Sequence, residues 1–429
     1  MNVLILSTTT GYQIRSFGEA AAARGIRLTF ASDRCDQLDD PWWDQAIAVR
    51  FHDVAGSADA VVAAARERPV NGVLAVGDRP TVLAARIAEQ LGLPGNPPAA
   101  AATTRSKLAM REVLARAGLL TPGFVPVADS GEVETIAPGL RFPVVVKPLG
   151  LSGSRGVIRA DDAGQLRVAA RRIWTLLEAP DVRAQRELLH ARLLIEQFIP
   201  GQEFAIEGVL TQGVFRPLAI FDKPDPLDGP YFEETIYVTP SRARAETQRA
   251  IEDAVARACV AIGLRHGPVH AECRVNDEGV WVLEVAARPI GGLCSRALRF
   301  AGRAAGARQA DGGRPSHASL EELLLRHAVG EDVSGLEREA DASAVMMIPI
   351  PRRGIYKGVD GVHEARQVDG VDDIRITAKE DALLVPLPEG NSYLGFIFAR
   401  GETAADAERA LREAHARLRF QIDRELSVI

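Results

Sequence analysis

Lysine is scarce in this chain. Of 51 basic residues only Lys107, Lys147, Lys223, Lys357 and Lys379 are lysines, and all the others are arginines. Where arginine is written almost everywhere, each remaining lysine is a candidate for a role that needs a compact ammonium. Mutational bias with chance survivors is the competing explanation. Cysteine is also sparse: Cys35, Cys259, Cys273 and Cys294 stand without CxxC or Cys/His spacing, which excludes a zinc site and a disulfide framework and fits a reducing cytoplasm. No run of ~18 apolar residues occurs, so no membrane-spanning helix is expected. The opening Met1-Asn2-Val3-Leu4-Ile5-Leu6 lacks the basic region of a signal peptide. An excess of one charge is missing too. The 51 basic and 57 acidic residues leave −6, which argues against nucleic acid as a partner. GxxxxGK[ST], GxGxxG and GxSxG are all absent, which speaks against a P-loop protein, a dinucleotide-binding dehydrogenase and a serine hydrolase.

What is present is 429 residues, enough for roughly three domains of ~150 residues. Residues 2–6, 27–31, 46–49 and 72–76 are short apolar runs, separated by helical patterns at 13–24, 58–67 and 80–91. Run, loop, helix, run is a βαβ signature, so the first ~95 residues predict a small parallel α/β layer. Leu93-Pro94-Gly95-Asn96-Pro97-Pro98 then interrupts the periodicity and marks the first boundary. Beyond a helix at 105–117, strands dominate: 124–127, 144–147, 156–159, 193–198, 204–210, 214–221, 269–275 and 280–285, with helices at 163–177 and 243–262. This block is α+β. Residues 300–318, rich in Ala, Gly and Arg, predict a flexible surface loop. A helix at 320–327, strands at 344–350, 383–386 and 393–399, and a helix at 404–418 complete the chain, and no internal repeat is visible.

The densest chemical signal is Phe142-Pro143-Val144-Val145-Val146-Lys147-Pro148-Leu149-Gly150-Leu151-Ser152-Gly153-Ser154-Arg155-Gly156. A buried-type strand delivers Lys147, and a loop with Gly150, Gly153, Gly156, Ser152 and Ser154 follows. Glycines let backbone N–H groups approach polyphosphate, serines add donors, and the lysine neutralises charge, which suits a triphosphate. A plain glycine-rich hairpin is the bland alternative. Next come Leu193-Leu194-Ile195-Glu196-Gln197-Phe198-Ile199-Pro200-Gly201-Gln202-Glu203, a strand and turn whose backbone suits an adenine and whose Glu203 suits ribose hydroxyls. By strand alternation His270, Glu272 and Arg274 share one face. A hairpin through Asn276-Asp277-Glu278-Gly279 sets Glu284 beside Glu272, two carboxylates able to bridge Mg²⁺ on phosphate.

In this order the motifs resemble the ATP-grasp superfamily of carboxylate–amine ligases over residues 1 to about 330. Gly267-Pro268-Val269-His270-Ala271-Glu272 with Glu284-Val285-Ala286-Ala287-Arg288-Pro289-Ile290-Gly291-Gly292 looks like the signature of the L-amino acid (dipeptide) ligases. The resemblance implies an N-terminal α/β domain over 1–98, an ATP-grasp core over 99–330 with a lid-like part at about 120–200, and a C-terminal α+β segment over 331–429. It implies ATP and two Mg²⁺ (or Mn²⁺) ions, ADP and phosphate as products, and small carboxylate and amine substrates. Lys107, Lys147 and the loop with Gly150, Ser152, Gly153, Ser154 and Gly156 would hold the phosphates. Glu196 and Ile199 would line the adenine, Glu203 the ribose, and Glu272 and Glu284 the metal. Arg288 would stabilise the acyl-phosphate, His270 would orient or deprotonate the amine, and Lys223 would face the transferred phosphoryl group. Ala286 departs from the Asn that many members carry two residues after the second metal acid.

A ligase of the purine or biotin-carboxylase type and a non-catalytic ATP-binding regulator are the alternatives. In the turn Val76-Gly77-Asp78-Arg79-Pro80, Asp78 or Arg79 is a candidate reader of a substrate charge, with a helix cap as the alternative for Asp78. Residues 222–240, with four prolines and three aromatics, predict a lid loop or a packed turn. The run Met346-Met347-Ile348-Pro349-Ile350-Pro351-Arg352-Arg353-Gly354 is either a wall of the substrate pocket or core with a basic rim, and core is expected. A cytoplasmic homodimer is the default assembly.

Overall fold

The computed structural model describes residues 1–8, 13–33, 46–302 and 317–425. The N-terminal unit alternates β1 (Asn2–Ser7), α1 (Gln13–Arg24), β2 (Arg27–Ser32), β3 (Ile47–Ala48), α2 (Val54–Glu67), β4 (Gly72–Val76) and α3 (Thr81–Gln90). Its four strands are parallel in the order β3-β2-β1-β4. Every residue of β1 is buried, as a strand covered on both faces requires. The helix expected from 58 starts four residues earlier, because Asp53 caps it by accepting from the Gly56 N–H.

The Pro/Gly stretch before residue 98 does not stop helix formation for long. α4 (Pro98–Arg105) begins at its last proline, and α5 (Lys107–Arg116) follows after Ser106, whose hydroxyl caps it. A small antiparallel lobe comes next: β5 (Phe124–Val127), α6 (Ser130–Ile136), β6 (Val144–Pro148), β7 (Ile158–Ala160), α7 (Ala163–Leu177), α8 (Pro180–Arg183) and β8 (Leu193–Gln197), with strand order β5-β8-β6-β7.

The larger sheet has eight strands in the order β13-β12-β9-β10-β11-β17-β21-β19. β9 (Gln202–Thr211), β10 (Val214–Asp222), β11 (Ile236–Thr239), β12 (Gly267–Asn276) and β13 (Gly279–Ala286) come from the middle of the chain and are backed by α9 (Ala245–Ile262). α9 ends on Gly263 in the left-handed region at φ 88°, which lets its N–H return to the Cys259 carbonyl. After β14 (Arg299–Gly302), β15 (Ala318–Ser319), α10 (Leu320–Ala328) and β16 (Leu336–Arg338), the chain re-enters the same sheet through β17 (Ala342–Ile348). β18 (Gly354–Asp360), α11 (Val362–Arg366), β19 (Val371–Ile376), β20 (Leu383–Leu384), β21 (Gly395–Gly401), α12 (Ala404–Arg417) and β22 (Arg419–Asp423) complete the fold.

Two expectations change. The stretch 222–240 is not all loop: its last part is β11, fully buried, paired with β10 on one side and β17 on the other. Prolines hid it, because Pro240 follows directly and Pro224, Pro226 and Pro230 precede it. The C-terminal segment contributes three strands of the eight-stranded sheet, so it shares a core with the strands from the middle of the chain. Met346 and Met347 are buried as expected. The surface loop expected at 300–318 falls largely on residues 303–316, which lie outside the described residues. Cys259, Cys273 and Cys294 are free and buried, and Cys35 lies outside the described residues.

Candidate active site

A cleft of about 640 Å³ opens where the C-terminal ends of the N-terminal strands, the small lobe and the eight-stranded sheet meet. Lys107, Lys147, Glu196, Ile199, Glu203, His270, Glu272, Glu284 and Arg288 line it, together with Gly150, Ser152, Gly153 and Ser154. Two expected residues stand back from the wall. Lys223 is buried behind three carboxylates, and the Gly156 N–H is bonded to the Pro388 carbonyl at 2.8 Å.

At one end of the cleft positive charge prevails. Lys147 Nζ lies 2.6 Å from Glu196, and Arg111, wholly buried on α5, donates to the other oxygen of that carboxylate at 2.7 Å. Arg111 also donates to the Leu283 carbonyl at 2.5 Å, tying α5 and β8 to the backbone just before Glu284. Burial works against the Glu196 carboxylate, but Arg111 and Lys147 more than offset it and hold the acid down at about 2. Lys107 Nζ donates to the Leu151 carbonyl at 2.6 Å and so fixes the start of the glycine-rich loop. Gly153 at φ 64° and Ser154 at φ 56° are consecutive left-handed residues, a backbone turn suited to an anion. Glu196 was expected to present backbone to adenine; its side chain has a second task, seating Lys147. Arg111 escaped the sequence motifs because one arginine among so many carries no signal.

Toward the other end negative charge prevails. β9 and β12 pair with Glu203 opposite Arg274 and Glu207 opposite His270. Each cross-strand pair is bonded: Arg274 Nε to Glu203 at 2.8 Å, His270 Nδ1 to Glu207 at 2.7 Å. Lys223 Nζ is 2.8 Å from Glu203, 2.5 Å from Glu234 and 3.2 Å from Glu272. Burial opposes the lysine's charge, but the three acids raise it well above its ordinary value. Glu234 goes the other way: burial and the Glu272 charge lift it to about 7 despite Lys223. Burial also opposes protonation of His270, yet Glu207 and Glu272 raise it to about 9.

Glu272 and Glu284 face each other as expected, but through a bulge between Glu272 and Cys273 that shifts the β12/β13 register by one residue. The acids that converge on Glu272 are nevertheless Glu203 and Glu234, with ligand atoms of all three within 4.8 Å of one another. An all-oxygen donor set already gathered around the Lys223 ammonium fits a hard divalent cation. Glu203, expected at the ribose, has one oxygen on Lys223 and the other on Arg274. Sequence reasoning missed Glu234 because it sits in the proline-rich stretch before β11.

Arg288 spans the cleft to the N-terminal unit. It pairs with both oxygens of Asp78, at 2.9 and 3.2 Å. Burial raises the Asp78 carboxyl, but Arg288 outweighs it and the acid sits below its usual range. Asp78 is therefore neither the side-chain cap of α3 nor a free substrate reader; it aims Arg288.

Three segments match known families: residues 18–95 the ATP-grasp N-terminal domain, 140–297 the ATP-grasp domain, and 346–423 the L-amino acid ligase C-terminal domain 2. With the lysine, loop and carboxylate geometry above, the chain belongs to the ATP-grasp superfamily. Its particular likeness is to the L-amino acid ligases. The crystal structure of L-amino acid ligase from Bacillus licheniformis superposes with a TM-score of 0.77 at 27% identity over 98% of both chains. Alanine–anticapsin ligase of Bacillus subtilis (strain 168) is 27% identical over 51% of this chain and 46% of its own length. D-alanine–D-alanine ligase of Gloeobacter violaceus is 34% identical over 46% of this chain and 64% of its own length. The chain thus spans less than two thirds of either of these two curated relatives.

Proposed function

We propose that the protein is an ATP- and Mg²⁺-dependent ligase that activates the carboxylate of an amino acid as an acyl-phosphate and couples it to an amine, releasing ADP and phosphate. The observation that carries this is one cleft with a cation-rich end at Lys107 and Lys147 and an acid-rich end at Glu272 and Glu234, with Arg288 also in its lining. The proposed domain division is 1–98, 99–330 and 331–429, the last packed into the sheet of the second.

A carboxylate is a poor electrophile. Its oxygen attacks the γ-phosphorus, the bond to ADP breaks, and the acyl carbon gains a phosphate leaving group. Lys147 and Lys107 hold the phosphates, with the backbone of 150–156 closing over them. Glu272 and Glu284, with Glu234 beside them, would hold Mg²⁺, which when bound supplies neutralisation of phosphate charge. The amine nitrogen then attacks the acyl carbon, the C–O bond to phosphate breaks, and the departing phosphate takes the amine's proton. Arg288, aimed by Asp78, faces the oxyanion that develops. His270, held between Glu207 at 2.7 Å and Glu272 at 3.6 Å, would orient or deprotonate the amine.

The match of residues 346–423 to the L-amino acid ligase C-terminal domain favours this reading over a purine-type or biotin-carboxylase-type ligase. Intact Glu272, Glu284 and Arg288 favour it over a silent ATP-binding regulator. Among the described residues no helix is long and apolar enough to cross a membrane, which agrees with a cytoplasmic enzyme. Purified protein with ATP, Mg²⁺ and pairs of amino acids is expected to release ADP and phosphate, and Glu284→Ala to abolish that release while leaving ATP bound. Release of AMP would overturn the acyl-phosphate route.

A further inference from the structure

The glycine-rich loop is anchored at its two ends by different parts of the chain. Its start is held by α5, where Lys107 donates to the Leu151 carbonyl. Its end is held by the C-terminal segment. The turn Pro386-Leu387-Pro388-Glu389-Gly390-Asn391 sets two carbonyls against it. The Gly156 N–H donates to the Pro388 carbonyl at 2.8 Å, and Arg155 Nε donates to the Glu389 carbonyl at 2.8 Å. The Glu389 carboxylate takes Arg172 of α7 in a two-pronged pair, Nη2 on one oxygen at 2.9 Å and Nε on the other. Arg172 Nη1 also donates to the Tyr231 hydroxyl, and Arg155 pairs with Asp181 of its own lobe at 2.6 Å.

These partners are remote in sequence: 234 positions separate Arg155 from Glu389, and 217 separate Arg172 from it. The Arg172 and Glu389 side chains are 41% and 36% exposed, so solvent screens the pair and it is weak enough to open and reclose during a catalytic cycle. The turn itself has no slack, since a Cβ on Gly390 would run into the Val385 carbonyl oxygen. Beyond it the chain continues to Asn391 and Tyr393, which line the cleft. The contacts therefore tie three parts together: the end of the loop, the small lobe through α7, and a wall of the cleft.

We propose that the 386–391 turn is a strap supplied by the C-terminal segment, with Glu389 as its positioning residue: it fixes the end of the phosphate loop and holds the nucleotide beneath that loop until the Arg172–Glu389 pair opens. The inference rests on the reading of 150–156 as a phosphate loop and adds the residues that control its closure. A loop already held at both ends loses less conformational freedom when a nucleotide arrives. The Gly156 N–H is spent on the strap, so the consecutive left-handed residues Gly153 and Ser154 are the part of the loop that meets the phosphates. A nucleotide under a tethered loop leaves only after the tether lets go, which makes the strap a gate on ADP release.

The test uses the whole protein and two readouts that need no turnover: the dissociation rate of the fluorescent nucleotide mant-ADP with Mg²⁺, and hydrogen exchange at the Gly156 amide. Glu389→Gln keeps both carbonyls of the turn and loses the ion pair; it is expected to speed each readout about 3–5-fold. Gly390→Ala displaces the carbonyls as well and is expected to speed each about tenfold or more. Arg172→Glu and Glu389→Arg put like charges together, so each alone is expected to exceed Glu389→Gln. The two combined restore an opposite pair and are expected to return the dissociation rate to within about twofold of the wild type. Glu134→Gln is the control: it makes the same charge change in the Arg167–Glu134 pair inside the small lobe and is expected to leave both readouts unchanged. Wild-type rates in Glu389→Gln and Gly390→Ala, an equal acceleration in Glu134→Gln, or no recovery in the reversed pair overturns the strap and leaves the ligase reading standing. Wild-type protein that binds neither mant-ADP nor ATP overturns both.

Discussion

Lys147 and Lys223 are the same residue type at the ends of neighbouring functions, and their surroundings are inverted. Lys147 shares a single carboxylate, Glu196, with a buried arginine, so cations outnumber acids two to one. Lys223 stands among Glu203, Glu234 and Glu272, where acids outnumber it. The first arrangement leaves positive charge to spare, which suits a polyphosphate. The second leaves negative charge to spare, which suits a divalent cation or an ammonium. Ligand preference along one cleft therefore follows from how many partners each lysine is given, not from the lysine itself.

Removing Lys223 breaks the comparison hardest. Lys223→Met leaves buried acids without their shared cation, and is expected to cost about 3–5 kcal/mol of stability together with a loss of turnover of about 10²–10³-fold, read by chemical denaturation and ADP release. A variant that keeps both stability and rate would show that the lysine is incidental.

The Glu196 cluster is sharpened by acid. Because the folded protein holds this carboxyl near 2 against an ordinary 4.5, its contribution is fully present above 4.5 and is lost as pH falls from there toward 2. The depression corresponds to about 3 kcal/mol. Denaturation at neutral and at low pH, compared with Glu196→Gln, should show the wild type losing its advantage over that window, and equal pH profiles would remove Glu196 from the account.

Lys147→Met is milder for stability, since Arg111 still covers Glu196. The KM for ATP is expected to rise about 10–100-fold, the value of one or two charge-assisted contacts, with little change in the denaturation midpoint. A large stability loss instead would mean that the lysine is structural. The smallest effect belongs outside the cleft: Lys357 pairs with Asp381 in solvent, and Lys357→Ala is expected to leave both melting temperature and ADP release unchanged.

Local pattern carried much of this site. Alternation along β12 put His270, Glu272 and Arg274 on one face, but the regular register of the 276–279 turn would set Leu283 opposite Glu272, and the bulge between Glu272 and Cys273 is what brings Glu284 there. The strand ending in Lys147 and the glycines after it were legible because loop conformation near an anion depends on residues close in sequence. Glu234 was not, since it became a site residue only when β11 was inserted between β10 and β17. Asp78 and Arg288 lie 210 positions apart, and Arg111 and Leu283 lie 172 apart; no local period connects them.

The amino-acid sequence by itself therefore determined which segments form strands and helices over most of the chain, and the phosphate loop, because those depend on backbone preference and side-chain period. Tertiary structure alone decided the charge balance of the two ends. Burial makes each carboxylate and ammonium depend on whatever the fold brings within about 3 Å, and that choice is made by strands and helices far apart in the chain.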